Sequence, residues 1–398
     1  MNFHLNDWLS LLLRLAHLVA GISWIGSSFY FIWLDSHLEK PKSLKTDVEG
    51  ELWMVHSGGF YLVERKKIGP GSMPETLHWF KYEALFTWLT GIFLLGVVYY
   101  FTGGAFLVDP AVLSIQPIHA VLVSLGILTG SWLIYDFLWQ TLGKKHPQWT
   151  SGICLGLLGV AAFTFTHLLS GRAAFIHMGA LLGTLMVANV WIRILPAQQK
   201  MVDATAEGRL PDYALSGHAK RRSVHNSYMT FPVLFMMLSN HYPMVYGQAH
   251  NWLILILLMI SGASMRHMMI SKSASGRKWA IAPVAASLLT LVFLASSVGV
   301  AEAPRGMASL NPVTFLQVRQ VITQRCVRCH STHPEETTFG PSPGGVSFEA
   351  PEQIRAFANR IKFRVVETKT MPLANKTEIT DDERALLGRW VDQGAQVQ

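Results

Sequence analysis

The sequence predicts an all-α protein in two parts: an eight-helix transmembrane bundle, then a small helical domain outside the membrane. Three observations carry this. Of the 398 residues, 50% are hydrophobic and only 15% are charged, against about 25% charged in an ordinary soluble domain. The apolar residues gather into runs of about 20, each long enough to cross a bilayer as a helix. Beyond residue 300 the composition changes, and polar and apolar residues alternate as they do in a soluble domain.

The runs lie near residues 8–34, 79–101, 115–139, 151–170, 173–195, 224–243, 252–270 and 279–300. The first lacks a basic start and is too long for a cleaved signal peptide. A net charge of +8 would suit a nucleic-acid partner, but its placement points to the membrane instead. Lys40, Lys42, Lys45, Arg65, Lys66 and Lys67 share the first connection, Lys144 and Lys145 the third, and Lys200, Arg209, Lys220, Arg221 and Arg222 the fifth. Arg266, Lys272, Arg277 and Lys278 surround the seventh connection, and Arg172 is the exception in the alternate connections. This asymmetry is the positive-inside pattern. It predicts a multi-pass protein of the bacterial inner membrane with both termini periplasmic, and no nucleic acid as partner.

The expected boundaries are a membrane domain over 1–300, a linker over 301–311 and a periplasmic domain over 312–398. Residues 35–78 form a cytoplasmic connection too long to be a mere link, so it is expected to carry function. The stretch "SSVGVAEAPRG" (296–306) also resembles a signal-peptide cleavage site; either way the tail is exported. In the tail, "NPVTFLQVRQVITQRC" reads as an amphipathic helix delivering Cys326. "TDDERALLGRWVDQGA" opens with a Thr380-to-Glu383 capping box ahead of another helix.

Two of the three cysteines fall in Cys326-x-x-Cys329-His330. This spacing lets both thiols add to the vinyl groups of one haem while the histidine ligates its iron. The competing readings are a dithiol redox pair, which does not need the adjacent histidine, and half a zinc site, which needs two further ligands. Met371, followed by Pro372, is the expected second axial ligand; His333 lies too close to His330 to reach the opposite face. A thioether ligand raises the potential, so the tail is expected to be a class I type cytochrome c domain that accepts electrons. Cys154, within the fourth run, reads as a packing residue.

Sixteen histidines are many for such a chain, and intramembrane ionisable groups are functional candidates by default. His17, His119, His167, His177 and His241 lie towards the periplasm, His225 and His267 towards the cytoplasm. Histidines at two depths could hold one or two b-type haems; the plain alternative is hydrogen bonding to headgroups or neighbouring helices. A second group gathers in the cytoplasmic connections: His56, Tyr61, His78, Trp79, Lys81 and Glu83, facing Arg222, His225, Asn226 and Tyr228. Aromatic faces, cations and amide donors suit a flat anionic heterocycle, and Glu83 or a neutral histidine could take a proton. The alternative is a belt of interfacial aromatics at headgroup level.

The stretches "AHLVAGISWIGSSFYFIWLD" (16–35), "VHSGGFY" (55–61), "LHWFKYEALFTWLTG" (77–91), "VANVWIRILPAQQK" (187–200) and "RRSVHNSYMTFPVLFMMLSNHYP" (221–243) together resemble the membrane-bound urate hydroxylase family. That family is an eight-span domain often fused to a C-terminal cytochrome c. Its motif reads His-Gly-Gly-Gly-Phe-Tyr; here Ser57 takes the first glycine position, a small-for-small change.

The resemblance implies oxidation of urate to 5-hydroxyisourate with water as the oxygen source and no hydrogen peroxide. Electrons would leave through a covalent haem c to a soluble or membrane cytochrome or a terminal oxidase. It points to His56, Lys81, Glu83 and His225 for catalysis, and to Tyr61, Trp79, Arg222 and Asn226 for substrate. For b-type haem, His17 would pair with His241 and His225 with His267; His119, His167 and His177 fall outside the resembling stretches. Two other classes compete. A quinol-to-cytochrome electron-transfer subunit would not need so large a polar cytoplasmic loop, and a purine transporter would be favoured by spans broken near the midplane.

Overall fold

A computed structural model describes residues 5–41, 47–271, 274–298, 312–336 and 339–397. The expected linker over 301–311 lies outside the described residues. Long helices succeed one another as α1 (Leu5–His37), α2 (Tyr82–Leu95), α3 (Pro117–Gln140), α4 (Pro147–Leu168), α5 (Gly171–Ala188), α6 (Tyr213–Leu238), α7 (Asn251–Ile270) and α8 (Ala274–Val298). Among the described residues, six are long and apolar enough to cross a membrane: α1, α2 extended to Tyr100, α3, α4, α5 extended to Ala206, and α7. The sixth and eighth expected spans, α6 and α8, fall outside that set. The first turns of α6 carry His218, Lys220, Arg221 and Arg222, so the helix begins well before its apolar part.

α5 is the axis of the bundle. In its most apolar stretch 72% of the residues are buried, against 22% or less in the other five spans. It packs on α2, α3, α4 and α6, while α1 leans on α2, and α7 packs on α4, α6 and α8. Phe175, Met178, Leu181 and Leu182 of α5 meet Phe165, Met236 and Leu255 in the core. By contrast α1 exposes Leu11, Leu12, Leu15, Leu18 and Ile22, the surface that a lipid-facing helix presents. Where α6 and α7 cross, the backbones touch: a Cβ at Gly262 would stand 2.9 Å from Pro232 Cδ.

The molecule is mostly helical rather than all-α. The connection after α1 holds an antiparallel hairpin, β1 (Val48–His56) and β2 (Gly59–Lys66), closed by the His56–Gly59 pair. Ser57 and Gly58 form its two-residue turn with φ of +50° and +78°, both positive as the twist of a tight hairpin requires. The alternation in "ELWMVH" and "FYLVER" around Ser-Gly is a hairpin signal. Its base is tied to α1 by Arg65, whose Nη1 donates to Asp35 Oδ1 at 2.5 Å, and by a backbone bridge between Glu39 and Glu51.

The tail has its own core, in which Val318, Ile322, Ile354, Ile361, Leu387 and Trp390 are buried. Its first helix, α9 (Phe315–Arg325), carries a Thr314–Gln317 capping box and ends at Cys326. Its last, α10 (Asp381–Asp392), opens with the Thr380–Glu383 box expected from the sequence. The tail rests on the bundle end opposite the hairpin. Phe106 meets Phe339 edge-on at 5.3 Å. A Cβ on Gly247 would come within 2.9 Å of the Thr368 and Thr370 side chains.

Candidate functional site

Two groups of residues with chemical potential stand at opposite ends of the bundle. At the hairpin end, three helices bring polar side chains together at the edge of the apolar core. Asp136 near the end of α3 is the centre. It accepts from Arg222 Nη2 of α6 at 2.8 Å and from Arg193 Nε at 2.9 Å, with a second bond from Arg193 Nη2 to its other oxygen. Two guanidiniums against one carboxylate leave one positive charge. In a low-dielectric interior such a charge is costly unless something anionic answers it.

Around this ion cluster runs a hydrogen-bonded chain. Tyr135 Oη and His225 Nδ1 share a bond of 2.7 Å. Asn189 Nδ2 donates to Tyr135 Oη at 3.2 Å and to Asn226 Oδ1 at 2.9 Å. Asn226 in turn donates to the Met186 carbonyl at 2.9 Å. The Arg222 guanidinium sits 4.7 Å from the Tyr135 ring centre, and the Trp139 ring packs 4.3 Å from His225. Four buried atoms here and nearby have no hydrogen-bond partner: Arg222 Nη1, Asn189 Oδ1, Trp191 Nε1 and Glu83 Oε2. Unsatisfied buried groups are rare, and this set offers two donors and two acceptors.

The local sequence explains the display. α5 does not run on regularly into its extension but widens into a π-turn over Asn189–Ile194, a feature that often marks functional sites. Pro196 follows and has no N–H to continue a regular ladder. The wide turn presents Asn189, Trp191 and Arg193 from one stretch. Tyr82, beside Glu83 at the start of α2, stands 6.2 Å from the Trp191 ring, and Lys81 Nζ lies 5.3 Å from the Tyr82 ring and 5.9 Å from that of Trp79.

Of the residues expected for catalysis and substrate, the structure therefore gathers Arg222, His225 and Asn226 in one network, with Trp79, Lys81 and Glu83 at the start of α2. His56 and Tyr61 are elsewhere, exposed on the hairpin. Three of the four histidines expected in pairs have hydrogen-bond partners of their own. His17 turns into α2, where its Nδ1 bonds the Thr87 carbonyl at 2.9 Å and Thr90 Oγ1 at 3.1 Å, whereas His241 is exposed on the turn after α6. His225 takes Tyr135 as partner; His267 takes Tyr228, at 2.6 Å. His177 is a core histidine bonded at both nitrogens, to the Ala173 carbonyl and to Tyr100 Oη. Asp136, Tyr135, Asn189 and Arg193 were missed in the sequence. The available signal was Asp136, the one acid in the run 117–140.

At the other end, Cys326, Cys329, His330 and Met371 line one cavity of about 310 Å³ in the tail. His330 Nδ1 bonds the Val346 carbonyl at 3.1 Å. That bond orients the ring and leaves Nε2 as the nitrogen available to a metal, the usual arrangement of a ligating histidine. Burial lowers the His330 pKa, against a smaller opposing effect of that carbonyl, and so favours the neutral imidazole that ligates. Burial also pushes the Cys326 thiol up to about 12 and raises Cys329. Reactive Cys-x-x-Cys pairs show the reverse, a lowered thiol pKa. Among the described residues no group of three His, Cys, Asp or Glu could hold a metal ion by itself, so a zinc site lacks its further ligands. The residues present fit a covalently attached haem: two thiols, an oriented histidine and a thioether around one partly open cavity.

Fold and cluster together define a class: a helical bundle with membrane-length spans that keeps a partly buried polar site, two arginines on one aspartate, at one end. Within that class the chain belongs to the urate oxidase N-terminal family, which matches residues 3–297, nearly the whole bundle. Membership ties the protein to urate oxidation. No curated protein and no solved structure shows significant similarity to it.

Proposed function

We propose that the protein is an integral membrane urate hydroxylase of the inner membrane. In this reading the hairpin end is cytoplasmic, the tail is periplasmic, and all eight long helices span. The reaction is urate plus water giving 5-hydroxyisourate, two protons and two electrons, with no hydrogen peroxide. The observation that carries it is the Asp136–Arg193–Arg222 cluster with its unanswered positive charge and open donors, in a family tied to urate. Urate at neutral pH is a planar monoanion with amide edges. Arg222 Nη1 and Trp191 Nε1 would donate to its oxygens, Asn189 Oδ1 would accept from a ring N–H, and Trp139 and Tyr135 supply flat walls. Asp136 holds both guanidiniums in register and leaves part of their charge for the substrate.

Oxidation requires that protons leave as water adds to C5. His225, bonded to Tyr135, and Glu83, with a bare buried oxygen, are the groups placed to take them. Cys326, Cys329, His330 and Met371 would hold a haem c, which would supply one-electron acceptance on the way to a cytochrome or terminal oxidase. Two electrons per turnover then leave in successive steps. Any b-type haem would draw its ligands from His17, His241, His225 and His267, paired as expected from their depth. An electron-transfer subunit reduced by quinol would not need two arginines gathered on one aspartate beside unpaired donors.

The test is isotopic. Purified protein is given urate and an artificial one-electron acceptor in ¹⁸O-labelled water without oxygen gas. The label is expected in the product, with two acceptors reduced per urate. Unlabelled product, or a requirement for oxygen with release of peroxide, would overturn the proposal.

A further inference from the structure

We infer that Arg172, a residue of the bundle, binds a carboxylate of the group held in the tail's cavity, so that bundle and tail share one cofactor contact; this rests on the haem reading above. Arg172 is the second residue of α5, at the tail end. Its guanidinium lies 4.7 Å from the ring centre of Phe106, the same ring that meets Phe339 of the tail at 5.3 Å. It lines the cavity that holds Cys326, Cys329, His330 and Met371, and also the larger crevice between bundle and tail.

The charge of that cavity is one-sided. Arg172, Arg325, Arg360, Arg364 and Lys376 line it, and no carboxylate does among the described residues. Four of these five cations have partners within the tail. Arg325 bonds Glu383 and the Thr377 carbonyl, Lys376 pairs with Glu336, Arg364 donates to Thr370 Oγ1 and Arg360 stacks on Phe357. Arg172 is held by the bundle, on the Phe106 ring and the Tyr99 hydroxyl, yet its Nε is buried and has no hydrogen-bond partner. An orphaned guanidinium nitrogen costs the full desolvation of that group, and the fork geometry of arginine matches a carboxylate with two parallel bonds. A haem carries two propionate carboxylates. Arg172 is thus a positioning residue: it answers one propionate from the bundle side and fixes the tail in one register above Tyr99 and Phe106.

The test uses the full-length protein with Arg172→Gln and Arg172→Lys, compared with the unaltered chain. Covalent haem is measured first, by its spectrum in alkaline pyridine, and the midpoint potential of the tail haem is then titrated. Removing a positive charge beside the haem favours the ferric form. Arg172→Gln is therefore expected to keep its haem but to lower the reduced-to-oxidised ratio at fixed potential about tenfold, a shift of about 59 mV for one electron. Arg172→Lys, which keeps charge without the fork, should fall between the two. Should Arg172→Gln fail to fold, an Arg172→Lys potential equal to that of the unaltered chain would overturn the inference. Haem present in both variants at an unchanged potential would also overturn it and leave the haem reading standing. Absence of covalent haem from the unaltered chain would defeat the haem reading itself, and this inference with it.

Discussion

The two ends of the molecule are built on opposite plans. The tail's cavity draws three of its four principal groups from five consecutive residues, Cys326 to His330, with Met371 brought over by a small domain with its own core. The hairpin-end cluster draws Asp136, Asn189, Arg193, Arg222 and His225 from three helices far apart in sequence, held only by packing around α5. A site written as a local motif survives changes in its surroundings; a site assembled across helices stands or falls with the bundle. Substitutions at the two ends should therefore fail in different ways.

The sharpest contrast comes from removing each centre. Cys326→Ala with Cys329→Ala is expected to abolish covalent haem and all urate-dependent reduction of external acceptors, while the bundle keeps its unfolding transition. Haem-stained gels and a thermal melt in detergent check both halves. Asp136→Ala should do the reverse, leaving haem attached but the bundle weakened. Stripping the partner from buried charges costs about 3–5 kcal/mol, visible as an earlier melt along with lost urate response. A bundle that melted normally without Asp136 would break the comparison.

Within the cluster, His225→Ala is expected to lower turnover by about 100-fold or more, the scale of a lost acid–base group. Tyr135→Phe should cost about tenfold, since it removes one hydrogen bond to that ring. Equal effects would mean that the tyrosine is more than a support.

A smaller effect sharpens the tail's side. Burial alone would raise the Glu383 pKa, but the Thr380 N–H and the Arg325 guanidinium outweigh it and hold the carboxyl below its ordinary value. A depressed folded pKa contributes stability that is present above the usual carboxylate range and is lost as pH falls through and below it. Glu383→Gln should cost the tail about 1 kcal/mol at neutral pH, the scale of a cap, and flatten its acid unfolding curve, with no change in the bundle's melt. Smallest of all, Ser57→Gly should stabilise the hairpin by less than about 1 kcal/mol, because Ser57 holds a φ of +50° that glycine adopts freely. Hydrogen exchange at the β1–β2 amides reads this.

Legibility in the sequence followed the same division. The motif Cys326-x-x-Cys329-His330, the helix leading to it and the Thr380–Glu383 cap could be read directly, because each is a short-range pattern. The spans could be read because apolar runs declare themselves, although α6 hid its true start under Lys220, Arg221 and Arg222. The hairpin was harder to read because its turn is Ser57-Gly58 rather than Asn-Gly or Asp-Gly, and Ser57 reads as a small-for-small exchange although its φ is +50°. Asp136 and Asn189 were not singled out because their meaning lies in partners: Arg222 is 86 residues from Asp136, and Asn226 is 37 from Asn189. Depth in the bundle likewise does not say which way a ring turns: His17 turns to Thr87 and His225 to Tyr135.

The most direct measurement is the visible spectrum of the purified protein, kept free of oxygen, before and after addition of urate alone. The account predicts that a c-type absorption band rises on urate, that it does so in the Arg172→Gln protein as well, and that it does not do so without Asp136. Reduction by a quinol together with no response to urate would contradict it, and would make the bundle an electron-transfer module instead.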